Sequence, residues 1–399
     1  MDIHDDPWLG ANPLDPNFRD NPYPALHRLR ALDPVNETPL GFWRLTRYRD
    51  VVRMLMQVRT GVRMTDGTFP GEAFAPAGIQ ADFMLQQDPP NHTRLRRLVS
   101  KAFSPKTIEA LRVRVQTLVA ELLESVRERG EMDVIADLAL PVPSTVICEM
   151  MGVPLEDRDR FTQWTAEATH LLAAMIAPPE VIQRGLAARE SLVAYFENLI
   201  AERRRTLTED ILSQLIRAEE AGDRLSHTEL LSQSIGLLIA GFETTIGLIG
   251  NGVRAFIQHP DQIEKLRRNP QLIGSAIEEC LRFEGPIMLT PRFVHEDVEI
   301  DGKVIQKDRM VWSILFAANR DPQRFPDPDR FDIERPDNQH VAFGGGAHFC
   351  LGAHLARMEA QVAIGSLLQR FDGLELVSPT VEWGRSLFRV PGRLPIRFR

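Results

Sequence analysis

The feature that most constrains the fold is a long apolar stretch between His227 and His259 that contains no proline. Its leucines and isoleucines recur with helical spacing, so the pattern predicts one long helix over about residues 227–258. A helix that is apolar on most of its surface has to lie at the centre of the molecule. Five glycines interrupt it, and each costs on the order of 1 kcal/mol relative to alanine inside a helix. Close packing of neighbouring segments is the expected reason.

The middle of this helix carries polar side chains in an apolar setting, in the run 240–245 with the sequence Ala-Gly-Phe-Glu-Thr-Thr. Close packing would account for Gly241, and a hydrogen bond back to a carbonyl one turn earlier would account for Thr244. Neither accounts for Glu243, because burying a carboxylate without a partner is costly. The run therefore points to a function halfway along the helix.

A second informative stretch is the glycine-rich loop 343–352, which we name the cysteine loop. It delivers Cys350 to the start of a predicted helix from Ala353 to Leu368. A thiol at a helix N-terminus faces unpaired backbone N–H groups and the positive end of the helix dipole, and both lower its pKa. Gly352 leaves room for its own N–H to point at the sulfur. The loop predicts an anionic sulfur suited to a metal, and a catalytic cysteine is the alternative.

Composition bounds the class of protein. The 399 residues include 55 acidic and 47 basic side chains, and the net charge of −8 argues against non-specific nucleic-acid binding. The three cysteines are widely spaced and form no CxxC pair, which fits a reducing compartment and disfavours zinc. The polar N-terminus is neither a signal peptide nor a membrane anchor, so a soluble, cytoplasmic protein is expected. Since no linker or repeat divides the chain, one domain over 1–399 is predicted.

Two neighbouring segments contain further candidates for binding a ligand. Residues 61–90 are punctuated by glycine and proline, and so long a loop in a compact domain is usually a lid or a binding loop. In the helical segment that follows, His92 and Arg96 share one face and suit an anion. A solvated basic helix is the plainer alternative.

The C-terminal half adds a predicted helix over 272–284 and a predicted hairpin over 298–305. The helix places Glu279 and Arg282 three residues apart, where an ion pair can form. The overall prediction is a mainly α fold with a minor β portion.

Taken together, these motifs resemble the cytochrome P-450 family, of the soluble bacterial type. The run 240–245 matches the family's oxygen-activation motif. Glu279 and Arg282 match its Glu-x-x-Arg pair, and Arg330 lies where a third member of that network usually stands. The resemblance covers most of the chain, from residue 88 to the tail, and implies the cytochrome P-450 fold with this network as a structural clamp. The family's highly specific cysteine signature is matched by Phe343, Gly346, Cys350 and Gly352.

The resemblance further implies a haem b cofactor, with Cys350 as the axial ligand of the iron. Gly241 would open a notch in the central helix for O2. The two haem propionates would be met by His92, Arg96, Arg292 and His348. The remaining cofactor contacts would come from Phe103, Ala240, Gly241, Phe343, Gly344 and Gly352.

The same resemblance implies a monooxygenase that inserts one oxygen atom from O2 into a hydrophobic small molecule, by C–H hydroxylation or epoxidation. Glu243 and Thr244 would deliver the protons that the reaction needs. Terpenoids, steroids, fatty acids and polyketides all stay open as substrates. The pocket would be apolar, although ordinary core packing is the alternative for each of its candidate residues. These are Met84, Leu85, Leu237, Ala240, Ile287, Met288, Leu289, Leu387 and Phe388.

Electrons would come from separate proteins, since no flavin or nicotinamide domain is apparent: a ferredoxin with its ferredoxin reductase, or a flavodoxin-type donor. Arg94, Arg97, Lys101 and Arg357 would dock an acidic ferredoxin on the cysteine side, and a monomer is expected. Three alternatives stay open. One is a peroxide-driven peroxygenase, against which the acid–hydroxyl pair of the central helix argues. Another is a non-catalytic protein that binds haem or sequesters a ligand, and the third is a dehydration or isomerisation catalysed on a haem-thiolate scaffold.

Overall fold

The computed structural model describes residues 10–12, 15–38, 40–69, 82–173, 178–220, 225–384 and 388–399. Helices hold most of these residues, and the longer helices share one large apolar core. In chain order the α-helices are α1 Pro16–Asp20, α2 Tyr23–Leu32, α3 Tyr48–Met56, α4 Asn91–Ser100, α5 Pro105–Val126, α6 Pro141–Met151, α7 Arg158–Thr169, α8 Pro179–Arg203, α9 Ile211–Glu220, α10 His227–Gln258, α11 Pro260–Arg268, α12 Ile273–Glu284, α13 Leu315–Asn319 and α14 Ala353–Arg370.

The strands are short and form small sheets. They are β1 Val35–Glu37, β2 Trp43–Leu45, β3 Thr60–Gly61, β4 Glu131–Asp133, β5 Leu289–Val294, β6 Val298–Ile300, β7 Lys303–Ile305, β8 Met310–Ile314, β9 Glu375–Leu376 and β10 Pro395–Arg397. One sheet has the order β1-β2-β8-β5-β3, in which only β2 and β8 run parallel. A second has the order β4-β10-β9, and β6 and β7 form the predicted hairpin. The predicted fold class, mainly α with a minor β portion, is confirmed.

The long apolar helix lies where the sequence predicts it. The Ser226 hydroxyl accepts a hydrogen bond from Glu229 N at 3.1 Å, and the Glu229 carboxylate accepts one from Ser226 N at 2.8 Å. This capping box fixes the start of α10. By length and composition α10 could cross a membrane, but 72% of its most apolar window is buried inside the protein. It is therefore a core helix, and it packs against α6, α8, α12 and α14.

One glycine of α10 shows why the helix needs small residues. A side chain at Gly247 would place its Cβ 2.7 Å from Pro286 and 2.9 Å from Val390. Atoms do not approach so closely, so only glycine fits at this point. The C-terminal tail around residue 390 consequently lies directly on the middle of the central helix.

One buried carboxyl group has no hydrogen-bond partner among the described residues. Glu359 is fully buried in the middle of α14, and both of its carboxylate oxygens are unpartnered. Burial raises the pKa of this group well above its ordinary value. Burial therefore favours the neutral acid at Glu359 in the folded protein.

Replacing this acid should flatten the pH dependence of stability. Between the pKa of the unfolded chain, about 4.5, and the higher pKa of the folded protein, the unfolded chain ionises Glu359 while the folded protein keeps it protonated. The free energy of unfolding therefore falls in that range as pH rises, by up to about 1.4 kcal/mol per pH unit. Glu359→Gln cannot ionise and should lose this slope. Urea unfolding between about pH 5 and pH 8 measures it, with the exposed Glu375→Gln as the control. If the free energy of unfolding changes with pH in the same way in the wild type and in the Glu359 variant, Glu359 does not have a raised pKa in the folded protein.

Candidate active site

The cysteine loop is held against the end of α3. Gly346 has a φ of 66°, and a side chain there would collide with the carbonyl oxygen of Leu55. The Gly346 N–H donates to the Met56 sulfur at 3.0 Å. Cys350 N donates to the Phe343 carbonyl at 3.0 Å, which closes the loop just before α14 begins. The turn therefore depends on glycine at position 346.

The sulfur of Cys350 accepts a hydrogen bond from the Gly352 N–H, as the loop predicts. The pKa of the thiol is nevertheless not lowered. Burial raises it above its ordinary value, and the Gly352 N–H, Arg96 and Arg357 lower it by less. The prediction that the helix end keeps the sulfur anionic by itself is therefore wrong. A metal cation on the sulfur would supply the missing stabilisation, because coordination deprotonates a thiol outright.

Four basic side chains meet beside the cysteine loop, and we name them the basic cluster. The rings of His92 and His348 lie 4.2 Å apart. Arg96 donates to the Ala347 carbonyl at 3.1 Å, and Arg292 of β5 is only 8% exposed. Three ring nitrogens, Nδ1 of His92 and both of His348, are buried without a hydrogen-bond partner among the described residues. From helical spacing, the sequence placed only His92 and Arg96 of these four on a common face.

The bases of this cluster repel one another. Burial, together with the charges of His348, Arg96 and Arg292, lowers the pKa of His92 to about 4. Burial also lowers the pKa of His348, and that of Arg292 to about 10. Asp88, 3.7 Å from His348 Nε2, is one carboxylate against four bases. The cluster therefore fits a dianion such as the two propionates of haem, which would relieve the repulsion and bond the buried ring nitrogens.

The other candidates for cofactor contact lie on separate elements. Phe103 follows α4 and is buried in the main core. Phe343 is partly buried, and the guanidinium of Arg357 lies 4.5 Å from its ring centre. Gly344 has open space where a side chain would stand. Ala240 is exposed although most of α10 is buried, so the side chain at this point of the central helix faces open space.

The polar run of α10 packs against α6 at one position. A Cβ on Gly241 would lie 2.7 Å from Ile147 of α6. The Cβ side of Gly241 is thus filled by α6, and the notch for O2 at this residue stays a prediction. Thr244 Oγ1 donates to the Ala240 carbonyl at 3.5 Å, a weak bond that leaves the hydroxyl able to turn to another partner. Glu243 is half-buried, and its Oε2 lies in the interior.

The residues just before and in β5 divide between a pocket and the core. Met288 is buried with Phe18 in the apolar cluster of α1 and α2, so the prediction that it lines the pocket is wrong. Leu289 is partly exposed and lies at the margin of the same cluster. Ile287 is partly exposed and pairs with Phe388 across an isolated β-bridge.

The other pocket candidates have different surroundings. Met84 and Leu237 are buried in the main core, whereas Leu85 is 46% exposed. Leu387 lies outside the described residues, as do residues 70–81 of the predicted lid loop.

The buried ion pair of α12 has a different third member from the one predicted. Arg282 donates to the two Glu279 oxygens at 2.7 and 2.8 Å, and both side chains are fully buried. Arg335 Nε lies 3.3 Å from both Glu279 oxygens. The Arg330 side chain is instead 60% exposed and pairs with Asp332 at 3.7 Å. Arg330 contributes only its carbonyl, which accepts from both other arginines, so its assignment as the third charged member is wrong.

Sequence reasoning missed a second buried ionic cluster at the end of α12. Glu284 is fully buried, forms an ion pair with Arg389 and lies 3.5 Å from Arg320. The Arg320 guanidinium lies between the rings of Tyr23 and Phe283, 3.6 and 3.5 Å from their centres. No local spacing signals this cluster, because Glu284 and Arg389 are 105 residues apart.

Comparison with known proteins identifies the family. The cytochrome P-450 family model matches residues 66–382. The 6-deoxyerythronolide B hydroxylase of Saccharopolyspora erythraea is 39% identical over 396 residues, which cover 94% of this chain and 95% of that protein. The vitamin D(3) 25-hydroxylase of Pseudonocardia autotrophica is 42% identical over 358 residues, which cover 88% of this chain and 86% of that protein.

A solved structure supports the same family assignment. The crystal structure of P450BioI in complex with hexadec-9Z-enoic acid ligated acyl carrier protein matches with a TM-score of 0.89 at 38% identity, over 96% of this chain and 99% of that chain. The chain therefore belongs to the cytochrome P-450 family. It is a monooxygenase, and its cofactor is haem b.

Removal of Arg335 should lower the free energy of unfolding much more than removal of Arg330. Arg335→Ala takes away one partner of a buried carboxylate, which should cost about 3 kcal/mol of unfolding free energy. Arg330→Ala removes only an exposed ion pair, worth about 0 to 1 kcal/mol. Urea unfolding of the two holoproteins compares them directly. Equal losses would mean that Arg335 does not support the buried pair.

Proposed function

We propose that this monooxygenase inserts one oxygen atom from O2 into a hydrophobic small molecule, by C–H hydroxylation or by epoxidation. The observation that carries the proposal is the basic cluster that lies against the cysteine loop. A set of bases suited to a dianion beside a sulfur suited to a metal is what a haem with two propionates requires.

In this proposal Cys350 Sγ would hold the haem iron. A haem bound through a thiolate would supply the activation of O2, because the sulfur pushes electron density towards the iron. The basic cluster would bind the propionates and so set the orientation of the ring. Phe103 and Phe343 would pack on the porphyrin.

Glu243 and Thr244 handle the protons. The Thr244 hydroxyl, bonded only at 3.5 Å to the Ala240 carbonyl, turns to hold a water molecule or the O2 itself. Glu243 takes up a proton at its carboxylate and passes it on through that hydroxyl. An acid next to a hydroxyl supports a reaction that consumes O2 and protons over one that is driven by peroxide.

Two kinds of observation support a hydrophobic substrate. Leu237 lies on α10 itself, and Phe388 lies on the stretch of tail that reaches the middle of this helix. Apolar side chains with a few polar groups are usual in such sites. The names of the two relatives refer to vitamin D(3) and 6-deoxyerythronolide B, and the solved structure holds hexadec-9Z-enoic acid. We place the substrate among fatty acids, steroids, terpenoids and polyketides.

The electrons come from separate proteins in this proposal, a ferredoxin with its reductase or a flavodoxin-type donor. Of the four predicted docking residues, Arg97 and Lys101 are exposed. Arg94 instead pairs with the capping glutamate of α10, and Arg357 is bound by Glu278 at 2.7 and 2.8 Å. We therefore restrict the docking face to the two exposed side chains.

The ligand assignment predicts the effect of Cys350→Ser. A hydroxyl does not replace the thiolate, so the red-shifted Soret band of the reduced carbon-monoxide complex should disappear while haem is still bound. The absorption spectrum and the haem content measure this. Cys148→Ala, at a buried cysteine of α6, is the matched control and should keep the band. A band that persists in the serine variant would refute the proposed ligand.

The docking face predicts an effect of charge on electron transfer. Arg97→Glu with Lys101→Glu should lower the rate of reduction by ferredoxin about tenfold or more at low salt, with less loss at high salt. Stopped-flow reduction measures the rate. The control reverses the charges of the exposed Arg127 and Arg397. Arg127 lies at the far end of α5, roughly 30 Å from the end of that helix that follows Lys101. Equal rates in the two double variants would place the docking face elsewhere.

A further inference from the structure

A bidentate ion pair joins helix α12 to the helix that follows the cysteine loop. Arg357 of α14 donates from Nε and Nη2 to the two carboxylate oxygens of Glu278, at 2.7 and 2.8 Å. The two side chains are only 25% and 28% exposed, so the pair is partly shielded from water. A planar guanidinium that is bound at two points cannot turn freely. The Glu278 carboxylate therefore fixes the plane of Arg357.

The same carboxylate binds a histidine that lies three residues before the cysteine loop. The His340 side chain is 3% exposed, and its Nε2 lies 3.1 Å from Glu278 Oε2. Its Nδ1 accepts a hydrogen bond from Ala342 N at 3.2 Å, so Nε2 carries the ring proton and donates to Glu278. Burial acts to raise the pKa of Glu278, but the bonds from His340 and Arg357 lower it to about 2. Glu278 is therefore a carboxylate at neutral pH.

Both partners of Glu278 lie beside Phe343, the first residue of the cysteine loop. The guanidinium of Arg357 lies 4.5 Å from the centre of the Phe343 ring, within the range of a cation–π interaction. The ring centres of His340 and Phe343 are 6.2 Å apart. The Phe343 carbonyl accepts the hydrogen bond from Cys350 N, at 3.0 Å, that closes the loop. A continuous series of contacts thus connects Glu278, through Phe343, with the backbone of Cys350.

We propose that Glu278 is a positioning residue for Cys350: it holds Arg357 and His340 beside Phe343, and the fixed Phe343 keeps the sulfur where it binds the haem iron. The inference rests on the proposed role of Cys350 as the ligand. Groups that surround a metal ligand set its orientation, and their loss commonly costs about ten- to a hundredfold in metal affinity. No local spacing links the two residues, because 72 positions separate 278 from 350.

A simple brace between two helices is the competing explanation, since the same ion pair joins α12 to α14. A charge swap separates the two roles. Glu278→Arg combined with Arg357→Glu rebuilds the ion pair between the helices. It also moves the guanidinium away from Phe343 and takes the acceptor away from His340 Nε2. The brace is restored in this variant, and the support of Phe343 is not.

The readout is the red-shifted Soret band of the reduced carbon-monoxide complex, which reports the thiolate ligand. Its rate of loss is followed at a urea concentration below the unfolding transition, where far-UV circular dichroism shows that the protein stays folded. Glu278→Gln should lose the band about tenfold faster than the wild type. The matched control is Glu149→Gln, which should stay within about twofold. Glu149 is 29% exposed and accepts from Arg114 at 2.7 and 3.0 Å, between α6 and α5.

The charge swap should recover the resistance to urea unfolding that Glu278→Gln loses, and it should still lose the band fast. A swap that restores the lifetime of the band would show that the brace alone matters and would overturn the inference. So would a Glu278→Gln variant that behaves like Glu149→Gln. A wild type without the red-shifted band would instead refute Cys350 as the ligand, and the proposed function would fail first.

A double-mutant cycle with Phe343 tests the same inference without the swapped pair. Phe343→Leu removes the ring that transmits the effect of Glu278 to the loop. In that background, Glu278→Gln should speed the loss of the band by less than about twofold, because effects that act through one group are not additive. A simple brace does not act through Phe343, so it predicts the full tenfold effect in both backgrounds. That result would overturn the inference.

Discussion

Helix α12 carries three buried or half-buried carboxylates, and much of the rest of the structure is tied to them. Each is bound by at least one arginine from a distant part of the chain. Because an interior charge that loses its partner costs several kcal/mol, each of these arginines must stay in place, and the segment that carries it stays with it. One helix thereby fixes the helix after the cysteine loop, the irregular segment before it, and the C-terminal tail. The pairs are Glu278 with Arg357, Glu279 with Arg282 and Arg335, and Glu284 with Arg389 and Arg320.

This clamp determines how the site is assembled. The tail that Arg389 holds lies on the middle of α10 at Gly247, and it brings Arg19 with it. On the other side, the cysteine loop rests on the end of α3, and the basic cluster collects side chains from α4, β5 and the loop itself. Burial and mutual repulsion lower the pKa values of His92, His348 and Arg292, so the cluster is suited to an anion that would relieve the repulsion.

Much of the local structure could be predicted from the sequence. The apolar period predicted a helix over 227–258, and α10 occupies those residues; the helix after the cysteine loop also begins where it was expected, at Ala353. The errors share a cause. Arg330 lies near Arg335 in the chain, and only the path of the backbone brings the latter to Glu279. Met288 is apolar like its neighbours, and only packing assigns it to the N-terminal cluster.

The sequence by itself determined the long central helix, the cysteine at a helix start and the pair on α12, because each depends on residues within a few turns of one another. The family resemblance followed from these local motifs and their order along the chain. The tertiary structure alone decided which charges meet. Burial outweighed the helix end at Cys350, α6 filled the Cβ side of Gly241, and Arg19 reached the carbonyl of Phe388 in the C-terminal tail. The physical reason is that ion pairing and desolvation depend on distance and solvent access in space, and no local pattern in the chain encodes either one.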